Sequence, residues 1–357
     1  MDLIIFIVSL SILVLVHEFG HFFAARKTGV KVEEFGLGLP PRIIGKKFGD
    51  TIYSINWLPI GGFCRMYGED PAVAGQVVEK NKNQSFQYKK PWQKLIIVLG
   101  GVLMNLVLAV VIFTVVYSIL GVPKEVDKVT IIGISKNSPA EMAGLKEEDV
   151  ILKVGDKDIK KANELTDEIA KYKGQNVELE ILTDEQTQRS VRTVEVRENP
   201  PEGEGSMGIA ISNTEMVKVP WYRFYEGIGA GFKEAYYWGK IIVGGVVGMI
   251  GGLFKGNIPK DVSGPIGMYE ATSSIRNNQG ILAVIHFFGI VSVNLAVVNI
   301  LPFPALDGGR IMFVLYEMIS KKKANQKLEL IVNNIGMILL LGLILIITVG
   351  DVGRLLK

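Results

Sequence analysis

The apolar run from Leu3 to Ala25 is the feature that most constrains the fold of this 357-residue chain, because it is long enough to cross a bilayer as a helix. It contains three ionisable residues, His17, Glu18 and His21, in the pattern His-Glu-x-x-His. A charged side chain near the centre of a membrane helix costs about 2.5 to 3.5 kcal/mol on insertion scales. We therefore expect a chemical function to maintain these residues.

His17 and His21 are four residues apart, so they share one helix face and can bind the same metal ion. Glu18 lies beside them, where zinc hydrolases with this motif place the general base that activates water. A proton relay or ion pathway also tolerates His and Glu within the membrane. The motif thus predicts a zinc hydrolase, with an ion pathway as the alternative.

Asp307 is the candidate for a third metal ligand, since a catalytic zinc site takes three protein ligands and leaves one position open. It follows the apolar stretch 281–301, which places it at the membrane boundary. Two prolines before it prevent a regular helix, and Gly308 and Gly309 give the backbone freedom to turn the carboxylate towards another helix. The alternative is an N-cap of the helix that follows, which requires no metal.

Together, the His-Glu-x-x-His motif and the segment Asn299–Arg310, with its pattern N-x-x-P-x-P-x-L-D-G-G, resemble the site-2 protease family, specifically its bacterial RseP-type intramembrane zinc metalloproteases with one PDZ domain. Gly100–Asn105 is similar to the family's second span, and Ser263–Gly267 to the segment before its third. The resemblance extends from Met1 to about Gly353.

The resemblance implies that His17, His21 and Asp307 bind Zn²⁺ and that Glu18 is the general base. It also implies that Asn299 holds the substrate or stabilises the reacting carbonyl, and that Asn105 organises the core. Alternatively, either asparagine bridges packed helices.

The fold class predicted is an α-helical polytopic membrane protein with an inserted α+β domain, because the chain is 48% hydrophobic yet 21% charged. Four spans are expected, in a first membrane half 1–120 and a second half 281–357; their bounds are about 3–25, 95–120, 281–301 and 330–349. Between the halves lie the insert and a linker, 199–280, whose apolar part 241–254 indicates an interfacial or re-entrant element.

The topology follows from the Lys and Arg residues that flank the spans. They predominate in 26–94 and recur at Lys321–Lys323, so both segments should be cytoplasmic. The insert should then lie outside, with both termini, in a bacterial cytoplasmic membrane. The first span has no basic segment before it and is expected to be retained. A net charge of +3 gives no reason to expect a nucleic-acid partner.

The insert resembles one PDZ domain over about 127–198. The resemblance rests on Ser138–Leu145, which reads S-P-A-x-x-A-G-L, within a predicted order of strand 129–134, short helix, strand 149–154, helix 162–172 and strands 177–182 and 191–196. Glu148-Asp149 departs from the usual Gly-Asp. A PDZ groove binds peptides by strand addition; the alternative is a passive filter that excludes folded ectodomains.

A β-hairpin is predicted at about 51–67, with its turn at Leu58–Gly62, close to the first span. It resembles the family's membrane-facing β-loop, whose exposed edge would pair with the unwound backbone of a substrate helix. The alternative is an ordinary cytoplasmic hairpin. Two further residues are assigned structural roles: His286 is expected to be packed or hydrogen-bonded, and Cys64, the single cysteine, to be a small buried side chain.

The function predicted is an intramembrane zinc endopeptidase that cleaves single-span membrane proteins within or near their transmembrane segment, with the lipid bilayer as its environment. By resemblance, the substrates are anti-sigma factors whose ectodomain has been trimmed, or remnant signal peptides. The alternative is a non-proteolytic membrane adaptor or a metal-handling transporter.

Overall fold

The computed structural model describes residues 1–69, 79–183, 188–201, 204–218, 220, 223–254 and 264–355. The chain divides into two compact units, of which one comprises Met1–Val116 with Phe224–Lys357 and the other Tyr117–Arg223. The described α-helices, in chain order, are α1 Asp2–Lys27, α2 Pro91–Leu120, α3 Pro139–Met142, α4 Ala162–Ile169, α5 Phe224–Phe254, α6 Pro265–Gln279, α7 Ile281–Ile300, α8 Asp307–Ser320 and α9 Gln326–Leu355. The described strands are β1 Val32–Phe48, β2 Thr51–Met66, β3 Val122–Ile134, β4 Val150–Val154, β5 Lys157–Asp158, β6 Asn176–Thr183, β7 Gln188–Glu195 and β8 Ile209–Val217. Ser263, at the start of the segment predicted to precede the third span, lies outside the described residues.

Four of these helices, α1, α2, α7 and α9, are long and apolar enough to cross a membrane, which confirms the prediction of four candidate spans. In each, the hydrogen bonds of the helix satisfy the backbone polar groups, as a lipid environment requires. α1 and α2 approach very closely at Gly20 and Gly100: a Cβ atom built on Gly20 would lie 2.1 Å from the carbonyl oxygen of Gly100. This contact between small residues sets the distance between the helix that carries both histidines and its neighbour.

β1 and β2 form a two-stranded sheet, and here the predicted hairpin was wrong in its turn and its partner. The turn lies at Gly49 and Asp50, with Gly49 in the left-handed region at φ 62°. The two halves of β2 do not pair with each other: Phe35 of β1 pairs with Tyr53 on one side and with Cys64 on the other. Glycines and a proline pair lower the β-propensity of β1, and for this reason the sequence pattern did not mark it as a strand.

The unit Tyr117–Arg223 is an α+β domain whose six-stranded sheet has the order β7-β6-β4-β3-β8, with β5 paired to β4. Its core is aliphatic and includes Val129, Ile131, Leu165 and Leu179. Each predicted strand and helix of the insert has a counterpart, and the unit extends beyond the 127–198 expected for a PDZ domain, because β8 pairs with β3 along the sheet edge. β8 was assigned to the linker because polar residues interrupt its alternation of apolar and polar positions.

The segment 241–254 forms the second half of the continuous 31-residue helix α5. Its interfacial or re-entrant position stays a prediction. Near the first half of α5, Gly231 packs against the backbone of α2, where a Cβ atom would lie 2.8 Å from the carbonyl oxygen of Val110. α5 also contacts α7, so it forms part of the same helical unit as the four candidate spans.

Candidate metal centre

Three ligand atoms from distant parts of the sequence converge in the helical unit. α1 places His17 and His21 one turn apart, and their Nε2 atoms are 3.2 Å from each other. Oδ2 of Asp307 lies 3.0 Å from Nε2 of His17 and 3.2 Å from Nε2 of His21. Both histidines are buried. Among the described residues, these three form the one cluster able to hold a metal ion.

Asp307 is the first residue of α8, and the N-cap position belongs to Leu306. No side-chain capping hydrogen bond is made there, so the alternative of Asp307 as an N-cap is not what the structure shows. The glycines after Asp307 serve close packing: a Cβ atom on Gly308 would lie 1.8 Å from the carbonyl oxygen of Leu301. The positive φ of this turn, 73°, occurs at Ala305.

Each histidine makes a further contact through Nδ1, and this contact determines the protonation of the Nε2 atom that faces Asp307. Nδ1 of His21 lies 2.9 Å from the carbonyl oxygen of Ile97, which only accepts, so Nδ1 carries a proton and, in the neutral ring, Nε2 keeps its lone pair. Nδ1 of His17 lies 3.3 Å from the side-chain amide of Asn105. Oδ1 of Asn105 is buried without a hydrogen-bond partner within the described part of the chain. Turning this amide by half a rotation lets Oδ1 accept the Nδ1 proton of His17 and satisfies both groups.

A zinc ion fits this donor set. Once both Nδ1 atoms are protonated, two imidazole lone pairs and a carboxylate oxygen face one another at 3.0 to 3.2 Å, and they repel unless a cation lies among them. Oδ2 of Asp307 is also buried without a hydrogen-bond partner among the described residues. Tetrahedral zinc with bonds of about 2.0 to 2.1 Å holds its ligand atoms about 3.3 Å apart, close to these separations.

The cluster opens into a cavity of about 690 Å³ in the same unit. Glu18 and Asn299, both half-buried, line this cavity together with the two histidines and Asp307. The cavity therefore brings all the site residues expected from the sequence to one space, including Asn105.

β2 contributes a wall of the cavity through Phe63, Cys64 and Met66. Cys64 is buried, as predicted, and burial raises the pKa of its thiol, which keeps it neutral. A Cβ atom built on Gly62 of β2 would lie 3.8 Å from Cγ of Glu18, so this strand also approaches the candidate general base.

The ion pair between Arg310 and Glu69 was missed by the sequence analysis. Both residues line the cavity, and the pair ties the end of β2 to the helix that carries Asp307. The carboxylate of Glu69 raises the pKa of the Arg310 guanidinium above its ordinary value. Arg310 lies three residues after Asp307, a spacing visible in the sequence, but nothing in the sequence marks Glu69 as its partner.

His286 lies away from the cluster, as predicted. Its Nε2 is 3.2 Å from Oε1 of Glu234 on α5, and its ring packs on Phe113 of α2 with centroids 5.0 Å apart. The residue therefore joins three helices through one hydrogen bond and one ring contact.

Comparison with known proteins yields one family and several full-length relatives. The family model described as peptidase family M50 matches residues 5–343. A protein of Clostridium acetobutylicum is 32% identical over 98% of this chain and 97% of its own length, and one of Clostridium perfringens is 33% identical over 99% and 98%. A protein of Campylobacter jejuni is 31% identical over 98% of this chain and 93% of its own length. All three are named as candidate zinc metalloproteases.

Proposed function

The chain belongs to peptidase family M50, the site-2 protease family, and from this premise we propose that it cleaves single-span membrane proteins within or near their transmembrane segment. Family membership and the relatives establish that the protein is a zinc metalloendopeptidase. Its several apolar helices are those of a multi-pass membrane protein. The proposal of cleavage within or near a transmembrane segment rests on the convergence of His17, His21 and Asp307 beside Glu18, with both histidines in a helix apolar enough to span a bilayer.

His17, His21 and Asp307 would hold the zinc ion. When bound, zinc supplies Lewis acidity, which lowers the pKa of water in the site and polarises a peptide carbonyl. The hydrogen bonds to Ile97 and Asn105 keep both Nε2 lone pairs directed at the cluster. Without them each ring could present a proton in place of a lone pair, and metal affinity would fall.

Glu18 would move the protons of the reaction. Its carboxylate accepts a proton from water as the new C–O bond forms at the substrate carbonyl. The C–N bond then breaks, and Glu18 returns the proton to the departing amine nitrogen. A general acid–base group of this kind contributes typically 10²- to 10⁴-fold to the rate.

Asn299 and β2 would position the substrate. Asn299 lines the cavity near the cluster, where its amide is able to donate a hydrogen bond to the reacting carbonyl. The second half of β2 pairs with β1 along one side, and no described strand pairs with its other side. This free edge lies next to the cavity wall, so it supports pairing with a substrate backbone that has unwound from its helix.

The substrate class proposed here comes from the resemblance to the site-2 protease family. We propose anti-sigma factors with trimmed ectodomains or remnant signal peptides as substrates, in a bacterial cytoplasmic membrane with both termini outside. The α+β unit is proposed to be an extracytoplasmic PDZ domain, which binds a trimmed end or excludes folded ectodomains. The counterparts to each predicted strand and helix in this unit support that assignment.

The test compares wild type, Glu18→Gln and the control Glu147→Gln, an exposed carboxylate of the other unit. Each protein is purified in detergent, its bound zinc is measured, and it is incubated with a tagged single-span protein with and without its ectodomain. We expect zinc in all three and cleavage of the trimmed substrate by wild type and Glu147→Gln alone. If wild type binds zinc but cleaves no substrate, an adaptor or transporter is favoured. If Glu18→Gln cleaves the trimmed substrate as well as wild type does, the proposed active site is refuted.

A further inference from the structure

A basic pocket lies between the start of α2 and the end of α8, outside the metal cavity. It has a volume of about 470 Å³, and its lining includes Lys89, Lys321, Lys322 and Lys323. A fifth lysine at the pocket, Lys94, pairs with Glu317 at 2.7 Å, so these two charges cancel. The four other lysines have no carboxylate partner among the described residues, and Lys323 lies over the ring of Tyr88, with its Nζ 4.3 Å from the centroid. The pocket therefore carries an uncompensated charge of about four units.

The apolar wall of the pocket indicates where it lies along the candidate spans. Trp92, in the first turn of α2, and Met318 of α8 both line the pocket and are exposed. Tryptophan at the end of a membrane helix typically lies at the level of the lipid headgroups. The ammonium groups and this apolar wall together match a ligand that has a phosphate attached to an acyl glycerol.

We propose that this pocket binds the headgroup phosphate of an anionic phospholipid. Basic pockets between membrane helices bind such headgroups, and each lysine near an anionic surface strengthens binding about fivefold. Burial lowers the pKa of Lys89, and a phosphate beside it would offset the loss of hydration. The site is distinct from the proposed active site and does not rest on the proposed cleavage reaction.

A lipid in this pocket would join two elements that hold the metal cluster. α8 begins at Asp307 and ends at Ser320, immediately before the lysines. α2 carries Ile97 and Asn105, which contact the two histidines. The bound lipid would therefore stabilise the arrangement of α2 and α8, and a higher melting temperature in anionic lipid than in neutral lipid is expected.

The experiment measures binding of acyl-chain-labelled phosphatidylglycerol, and of phosphatidylcholine with the same label, to the full-length protein in neutral detergent at low ionic strength. The variant is Lys321→Gln/Lys322→Gln/Lys323→Gln. Its control, Lys136→Gln/Lys160→Gln/Lys173→Gln, removes the same charge from exposed positions of the α+β unit. At about fivefold per lysine, we expect about a hundredfold weaker phosphatidylglycerol binding in the first variant and none of this loss in the control.

Two further variants keep the test decisive if the triple variant folds poorly. Lys89→Gln, in the segment just before α2, should weaken binding about fivefold, and Lys321→Arg/Lys322→Arg/Lys323→Arg should retain it. Equal loss in the pocket and control variants, or equal binding of phosphatidylcholine, would overturn the proposal. Displacement by inorganic phosphate as effectively as by unlabelled phosphatidylglycerol would show that the pocket takes free phosphate, and would overturn the assignment to lipid.

Discussion

Gly101 of α2 lies directly against the two imidazoles, and its replacement by alanine tests the metal centre without removing any ligand. A Cβ atom at this position would lie 2.5 Å from Nε2 of His21 and 2.8 Å from Nε2 of His17. Ordinary van der Waals contact begins at 3.4 Å. Gly101→Ala must therefore displace the His21 ring by about 0.9 Å, against a tolerance of about 0.2 Å in metal–ligand distances.

The ring has little freedom to move away. Nδ1 of His21 donates to the carbonyl oxygen of Ile97, which lies on the same helix as Gly101, one turn earlier. A shift that relieves the clash breaks this hydrogen bond and moves Nε2 out of the cluster. Loss of such a supporting contact typically costs 10- to 100-fold in metal affinity, so we expect zinc binding to weaken by at least about 1.4 to 2.7 kcal/mol.

The assay is zinc affinity by competition with a chromophoric chelator, with peptidase activity and thermal melting measured in parallel. Gly342→Ala in α9 is the matched control, because a Cβ atom there meets nothing within 4 Å. The control should bind zinc as wild type does, and gain up to about 1 kcal/mol of stability from the better helix propensity of alanine. Wild-type zinc affinity in a folded Gly101→Ala protein would refute the placement of the metal between the two histidines.

Three other substitutions test the contacts around the site and the helix packing. Asn105→Ala removes the amide partner of His17 and should weaken zinc binding about 10- to 100-fold; unchanged affinity would contradict the argument from ring tautomers. Arg310→Gln breaks the ion pair with Glu69 and should lower stability by roughly 1 to 2 kcal/mol, allowing for the partial exposure of the arginine. Thermal melting of the double variant with Glu69→Gln should show a partial recovery, and no recovery would mean that the pair contributes nothing specific. Asp351→Ala removes the carboxylate that accepts from two backbone N–H groups at the start of α6 and should cost about 1 to 2 kcal/mol in thermal melting; Asp351→Asn keeps one acceptor and should lose less, so equal losses would argue against this cap.

The candidate spans could be predicted from the sequence because their formation depends on local properties. A helix closes its own hydrogen bonds, so an apolar run of sufficient length defines a span without reference to other parts of the chain. The observed helices differ from the predicted spans only at their ends. For example, α2 begins at Pro91 and not at 95, because polar residues extend the helix beyond the apolar run. The short strands of the α+β unit were also visible, as apolar alternation between turn residues.

The sheet next to the metal cavity could not be predicted in the same way. Pairing of β1 with both halves of β2 depends on the register between segments that contain glycines and prolines. These residues give the segments a sequence pattern typical of loops. β8 was missed for a related reason, because its place at the sheet edge is defined by β3, about 80 residues earlier.

In the metal centre, too, some features follow from local sequence and others only from tertiary packing. The sequence by itself determined that His17 and His21 share a helix face beside Glu18, since a spacing of four residues fixes this in any α-helix. The family resemblance pointed to Asp307, but only the tertiary structure brought its carboxylate to 3.0 Å from His17 and supplied the contacts of Asn105 and Ile97 that orient the rings. Those contacts join positions that are far apart in the sequence, and close packing of the helices at small residues, not any local pattern, decides which atoms meet.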